Sequence, residues 1–397
     1  MEQLSDRLAR LPESETIAMA QRSRELREQG KDIINLSLGE PDFPSPPHVK
    51  EAAIKAVQDN FSHYTPVPGI PELREAIVAK LKRDNNLEYQ PSEIVVSTGG
   101  KQSLSNAIYA LVNEGDEVII PSPYWVSYPA MAQLAGGKSV FVYAGIDQDF
   151  KITPDQLDEA ITPKTKVLLI NSPSNPTGSV YSLAELKALA AVLEKHPHVF
   201  IISDEIYEYI NYEEPQHSLA EFPSLKDRVI IVNGVSKGFA MTGWRIGYMA
   251  APAWIASACS RLQGQYTSGT SGISQKAALA AIEGPMDYTN DMVEAFRRRR
   301  ELVVKLASDI PGLKVNNPAG AFYLFPNVSA FFGKSFEWKT IENANDLSFY
   351  LLEHAYVATV SGTAFGNKNC IRFSYATSDD LLKEAMRRIK EALAALK

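Results

Sequence analysis

One lysine stands among small residues where ordinary surface solvation explains it poorly. Lys237 occurs in Gly234-Val235-Ser236-Lys237-Gly238-Phe239-Ala240-Met241. A partly desolvated ε-amine has a lowered pKa and condenses with carbonyl compounds. Arg245 follows in Thr242-Gly243-Trp244-Arg245-Ile246-Gly247, and a planar guanidinium there suits a phosphate. Asp204 closes the apolar run 199–203, where a carboxylate is costly unless a cation or donors meet it. A helix N-cap is the structural alternative. Tyr207, three residues on, can present a phenol to the same place. Thr98-Gly99-Gly100-Lys101 leads from an apolar run into a helix. Its glycines allow close backbone approach, and the helix N-terminus supplies free N–H donors for an anion. A tight strand-to-helix turn explains the motif equally well. It is not a Walker A loop, because Val95 and Gln102 stand where that motif needs Gly and Ser or Thr.

Three further residues follow other apolar runs. Trp125, in Pro123-Tyr124-Trp125, can stack on a flat ring or simply pack. Asn175, in Asn171-Ser172-Pro173-Ser174-Asn175-Pro176, can donate an amide hydrogen or form an Asx turn. Arg372, in Ile371-Arg372-Phe373-Ser374-Tyr375, asks for an anionic partner: a bound carboxylate or an internal acid. His196-Pro197-His198 reads as a loop before a strand, and no histidine has metal-ligand spacing. Arg297 to Arg300 reads as the solvated side of a helix with one packed stem.

The elements that must position these residues alternate in period. Apolar runs at 94–97, 118–120, 139–143, 167–170, 199–203 and 229–232 predict buried strands. Leu104, Ala107, Ile108 and Leu111, and Leu183, Leu186, Leu189 and Leu193, fall at helical spacing between them. Strands apolar on both faces and separated by helices predict an α/β fold with a mostly parallel sheet covered by helices. In such sheets ligands gather at the carboxyl ends of the strands. The flanks predict helices at 16–29, stopped by Gly30, and after Gly284-Pro285. A last amphipathic helix from Ser378 carries Leu382, Met386, Ile389, Leu393 and Leu396 on one side. The expected organisation is an N-terminal segment (1–45) belonging to a small domain, a large domain (46–288) and a small C-terminal domain (289–397).

Length and composition exclude several classes. The chain has 397 residues, 45% hydrophobic and 22% charged, which is globular usage and not that of a disordered or fibrous chain. Its 40 basic and 47 acidic residues leave a net charge of −7, which argues against generic nucleic-acid binding. Two distant cysteines, Cys259 and Cys370, offer no disulfide framework. With no signal-like N-terminus and no long apolar span, a soluble cytoplasmic protein is expected.

Together these residues resemble the class I and II aminotransferases, fold type I enzymes that use pyridoxal 5′-phosphate. The stretch 234–247 fits that family's active-site pattern at each constrained position. The likeness extends through Asn35 to Phe43, His63 to Ile70 and Ser172 to Gly178, and is nearest to bacterial aspartate aminotransferases carrying Gly-Gly-Lys-Gln. The resemblance implies that Lys237 holds the cofactor covalently and then moves the substrate's α-proton. Asp204 would pair with the pyridine nitrogen. Tyr207 and Asn175 would donate to the ring oxygen, and Trp125 would stack on the ring. Gly99, Gly100, the Lys101 N–H, Ser236 and Arg245 would hold the phosphate. Tyr64 would reach the phosphate of the neighbouring subunit, which implies a homodimer with shared sites. Arg372 with the Gly39 backbone would bind the substrate α-carboxylate.

The implied reaction moves the amino group of L-aspartate to 2-oxoglutarate by ping-pong kinetics. No arginine stands in 263–273 for the distal carboxylate, and Arg261 is expected to face elsewhere. The resemblance assigns that role to Lys101, helped by Ser14 and Thr16. Trp125 and Asn175 are also expected beside the substrate. The alternatives are a transaminase for prephenate or aromatic amino acids, or a lyase on the same scaffold. A binding protein of another class, such as a regulator's sensor half, would need a DNA-binding domain that this sequence does not display. Neither a metal nor a membrane partner is expected.

Overall fold

The computed structural model describes residues 5, 8, 11, 15–213, 215–337 and 339–397, with only the backbone of 15–18, 20 and 339. A helix (Glu15–Glu28) precedes strand β1 (Ile34–Asn35), and Gly30 ends that helix at φ +80°. Helices Pro47–Gln58 and Pro71–Asn85 lead into the main sheet. Its strands are β2 (Ile94–Ser97), β3 (Glu117–Ser122), β4 (Lys138–Tyr143), β5 (Thr165–Asn171), β6 (Phe200–Asp204), β7 (Val229–Gly234) and β8 (Gly247–Ala250). They lie in the order β2-β8-β7-β6-β5-β3-β4. Six run parallel, while β8 runs antiparallel between β2 and β7.

Strand alternation sorts the apolar side chains onto two faces. Ile94, Val96, Ile119, Leu168, Ile170, Ile201 and Ile231 join one core. Val95, Val118, Ile120, Val167, Leu169, Ile202 and Val232 join the other. Helices cover both faces, which is why these strands read as continuous apolar runs. In the helix Gly100–Leu111, Leu104, Ala107, Ile108 and Leu111 are buried against the second core. In the helix Leu183–Leu193, Leu186, Leu189 and Leu193 are buried, but Leu183 is exposed at the first turn.

The rest of the chain builds a third core. The long helix Asp287–Ser308 crosses a three-stranded sheet of β9 (Tyr323–Leu324), β13 and β14. A short hairpin joins β10 (Ser335–Phe336) to β11 (Lys339–Thr340), and β12 (Val357–Ala358) pairs with β1. Strands β13 (Val360–Ser361) and β14 (Ile371–Ser374) precede the last helix, Asp379–Ala394, capped by Ser378. All five apolar residues expected on the buried side of that last segment are buried. Ile34 and Leu36 pack here with Phe296, Phe373 and Met386.

Two expectations change. Arg299 and Arg300 are only 7% and 8% exposed and do not form a solvated face. Arg299 donates to Asp42 at 2.7 Å and Arg300 to Glu213 at 2.8 Å, so charge pairing makes their burial tolerable. Strand β8 also went unforeseen, although all four of its residues are buried.

Candidate active site

The carboxyl ends of β5, β6 and β7 open into a cavity of about 690 Å³. Lys237, Asp204, Tyr207, Asn175, Ser236, Arg245, Gly39, Gly100, Lys101, Trp125 and Arg372 all line it. Residues distant in sequence thus meet where the sheet geometry requires a ligand site.

Asp204 ends β6, buried at the cavity floor. Its Oδ2 accepts from Tyr128 Oη at 2.7 Å, and its Oδ1 from the Ile206 N–H at 3.3 Å. No helix begins there, so the aspartate makes an Asx-type turn and not an N-cap. Burial raises its pKa to about 6, against the pull of Tyr128. Asn171 at the end of β5 donates to the Asp204 carbonyl at 2.8 Å and accepts from the Asn175 N–H at 2.8 Å. The two strand ends are therefore tied together.

Lys237 follows β7 and donates from Nζ to the Gly39 carbonyl at 2.5 Å. No ion pair to it is formed among the described residues. Burial lowers its pKa to about 8, with Glu40 opposing and Arg372 and Arg245 assisting. An amine poised near neutrality is a usable nucleophile and base.

Gly99 takes φ +80° as the N-cap of the helix Gly100–Leu111. A Cβ there would stand 2.3 Å from Arg245 Nη2, so only glycine lets the guanidinium reach this N-terminus. Gly100, Ser236 and Arg245 together offer a helix N-terminus, a hydroxyl and a cation. Trp125 lies half-buried beneath Lys101 Nζ, 4.9 Å from its ring centroid, and meets Tyr128 edge-on. Burial and then Arg245 lower the Lys101 pKa.

Arg372 is buried on β14. It donates to Asn175 Oδ1 at 3.0 Å and to the Ser37 carbonyl at 2.7 Å, while its Nε has no partner among the described residues. Asn175 Oδ1 faces the arginine, which leaves its Nδ2 free to donate elsewhere.

Some expected residues stand apart. Tyr64 is 99% exposed and outside this chain's own cavity. Ser14 lies outside the described residues, and Thr16 is described only as backbone of the first helix. Arg261 is exposed on the helix Ala253–Tyr266, away from the cavity. His196 pairs with Asp158 at 2.8 Å, and the described residues hold no metal-binding group. Among them, no helix is long and apolar enough to cross a membrane. Sequence reasoning gave no role to Tyr128, Asn171, Met19, Asn345 and Phe349, which line the cavity, or to Tyr323, which contacts Tyr207 from outside the lining. A tyrosine three places after a cavity tryptophan was the available signal for Tyr128.

A lysine without a counter-ion, a buried acid awaiting a cation and a cradle for an anion define a cofactor-dependent α/β enzyme. The family model for aminotransferase class I and II matches residues 31–389. The aspartate/prephenate aminotransferase of Cereibacter sphaeroides is 48% identical over 99% of both chains. That of Nitrosomonas europaea is 46% identical over 98% of this chain and 100% of its own. Among solved structures, the aspartate aminotransferase of Rhizobium meliloti superposes with a TM-score of 0.97 at 44% identity, covering 100% of both chains. That of Thermus thermophilus with maleate gives 0.92 at 40% identity, covering 99% of this chain and 100% of the other. The chain belongs to the class I and II aminotransferases. It is a pyridoxal 5′-phosphate-dependent enzyme of fold type I. The residues present fit that cofactor: the unpaired Lys237 amine suits its aldehyde, Asp204 its ring nitrogen, and the Gly99–Gly100 turn with Arg245 its phosphate.

Proposed function

We propose that this enzyme transfers the amino group of L-aspartate to 2-oxoglutarate in two half-reactions, yielding oxaloacetate and L-glutamate. The observation that carries this reading is the pair of cations in one cavity with Lys237. Among the described residues Arg372 has an unpartnered Nε, and Lys101 Nζ lies 4.9 Å from the Trp125 ring centroid. A dicarboxylate with one amine matches that set.

When bound, the cofactor supplies a protonated ring that takes up electrons from the substrate Cα. Gly99, Gly100, the Lys101 N–H, Ser236 and Arg245 hold its phosphate. Asp204 keeps the ring nitrogen protonated, and Tyr128 holds that carboxylate in line. Tyr207 Oη and Asn175 Nδ2 would donate to its ring oxygen, and Trp125 would pack on the ring. Arg372 and the Gly39 backbone orient the α-carboxylate. A substrate held there would have its Cα–H within reach of Lys237 Nζ, whose amine would take up and release that proton. Lys101 holds the distal carboxylate, a role the family resemblance extends to Ser14 and Thr16. As a point charge it discriminates dicarboxylates less strictly than a bidentate arginine.

We also infer a homodimer in which Tyr64 reaches the partner's phosphate site, an inference supported by its full exposure. The same reading divides the chain into a large domain (46–288) and a small one (1–45 with 289–397). The packing of Ile34 and Leu36 with Phe296 and Phe373 supports that division. A cytoplasmic location is part of it.

A second reading has the cavity accept prephenate, which is favoured by the names of the relatives. One experiment separates the two. The visible spectrum of the holoenzyme is recorded while L-aspartate, then 2-oxoglutarate, is added. A band lost with aspartate and restored by 2-oxoglutarate supports the first reading. A band that ignores aspartate but, once the cofactor has been aminated by L-glutamate, returns with prephenate supports the second and removes Lys101 from its role.

A further inference from the structure

Tyr323 on β9 is fully buried beneath the cavity and has no part in the chemistry above. Its Oη lies 2.8 Å from Tyr207 Oη. Its ring lies 4.5 Å under the Arg372 guanidinium. A Cβ on Gly39 would stand 3.1 Å from its hydroxyl, so glycine keeps that approach open. One side chain therefore touches three groups assigned to cofactor and substrate.

A phenol has one proton and can accept from others. If Tyr207 spends its proton on the cofactor's ring oxygen, the short contact to Tyr323 needs a proton from Tyr323. We propose that Tyr323 is a positioning residue for Tyr207: it donates to Tyr207 Oη and so commits the single Tyr207 proton to the ring oxygen. This rests on the reading that Tyr207 meets the cofactor. Burial raises both phenols, and the Arg372 guanidinium opposes that rise at both. Hydrogen bonds in such a chain polarise one another, so a donor behind Tyr207 strengthens what Tyr207 gives.

The test is a pH titration of the visible absorption of the holoenzyme, in which the lysine–cofactor chromophore changes colour on losing its proton. Donation to the ring oxygen favours the deprotonated form, so weaker donation raises the midpoint. Tyr207→Phe should raise it most. Tyr323→Phe should raise it by about half a pH unit, the scale of one neutral hydrogen bond. In the double variant the second substitution should add nothing, because Tyr323 acts through Tyr207. A fluorinated tyrosine at 323 keeps the shape, donates more strongly and should lower the midpoint, which covers the case in which Tyr323→Phe folds poorly. A midpoint that moves with Tyr207→Phe but not with either change at 323 overturns the proposal alone. A Tyr323→Phe shift that persists without the Tyr207 hydroxyl also overturns it. A midpoint indifferent to Tyr207→Phe overturns the reading beneath it as well.

Discussion

Two lysines meet the turn that follows β6, and only one is equipped for chemistry. Lys237 enters from the cavity side, near Asp204 and Tyr207, with a carbonyl as its hydrogen-bond acceptor. Lys80 enters from the helix Pro71–Asn85, 1% exposed, and forms an ion pair with Glu208. It also donates to Asn85 Oδ1 at 2.8 Å, while Asn85 donates to Glu208 at 3.1 Å. The same turn thus presents Asp204, Ile206 and Tyr207 to the cavity and Glu208 to a closed polar cluster. Burial alone does not make a lysine reactive. What separates the two is whether a carboxylate answers the charge.

Exchanging each lysine for methionine should split function from stability. Lys237→Met should cut turnover on the order of 10⁴-fold and abolish borohydride trapping of the cofactor, with the cofactor-free fold no less stable. Lys80→Met strands Glu208 and should destabilise by about 3–5 kcal/mol, while turnover per folded molecule changes little. Replacing both partners, as Lys80→Met with Glu208→Leu, should recover most of that loss. Denaturant unfolding beside steady-state kinetics measures both quantities. Comparable turnover losses from the two lysines would erase the distinction.

The chemistry of this turn was more legible in the sequence than its support. Asp204 and Arg372 announced themselves as charges in apolar runs, and Lys237 as a lysine among small residues. The strands of the main sheet were legible because both faces are buried. What stayed hidden depends on pairing across the chain. Arg299 and Arg300 find Asp42 and Glu213 at separations of 257 and 87 residues, and without those partners the run reads as a solvated face. Tyr128 and Tyr323 look like core aromatics until the fold sets their hydroxyls against Asp204 and Tyr207. Gly247–Ala250, which opens on glycine and ends on alanine, is too mixed to declare itself a strand.

The pH response sharpens the comparison on the cavity side. Lys237 has a pKa of about 8 instead of the ordinary 10.5. The neutral amine is the nucleophile, so capture of pyridoxal phosphate by cofactor-free protein should rise with pH and level off just above 8. Stopped-flow absorbance measures the rate. A rate still climbing close to tenfold per unit at pH 9 would mean that the cavity does not desolvate this amine. Stability carries a matching sign. Between about 8 and 10.5 the unfolded chain binds the extra proton, so wild type should gain stability relative to Lys237→Met as pH rises through that window.

The smallest effect belongs to Glu205, whose carboxylate points away from the cavity. It accepts from Ser203 at 2.7 Å and Ser218 at 2.6 Å, yet burial still raises its pKa to about 7. A folded value above the ordinary 4.5 means that the native state holds more protons between these two points. Wild type should therefore lose stability relative to Glu205→Gln as pH rises from 4.5 to 7, by about 2 kcal/mol. Turnover should change less than about twofold, because the hydroxyl donors still find an oxygen. Asp204 follows the same sign between 3.8 and about 6 in the cofactor-free protein. The two acids part when pyridoxal phosphate binds. On the proposed role of Asp204, a ring cation beside it should hold its carboxylate ionised and remove its share of the slope, whereas Glu205 lies outside the cavity lining. Unfolding curves across pH, with and without cofactor, in wild type and Glu205→Gln, read the two contributions separately. If the cofactor flattened both, the back of the turn would belong to the site after all.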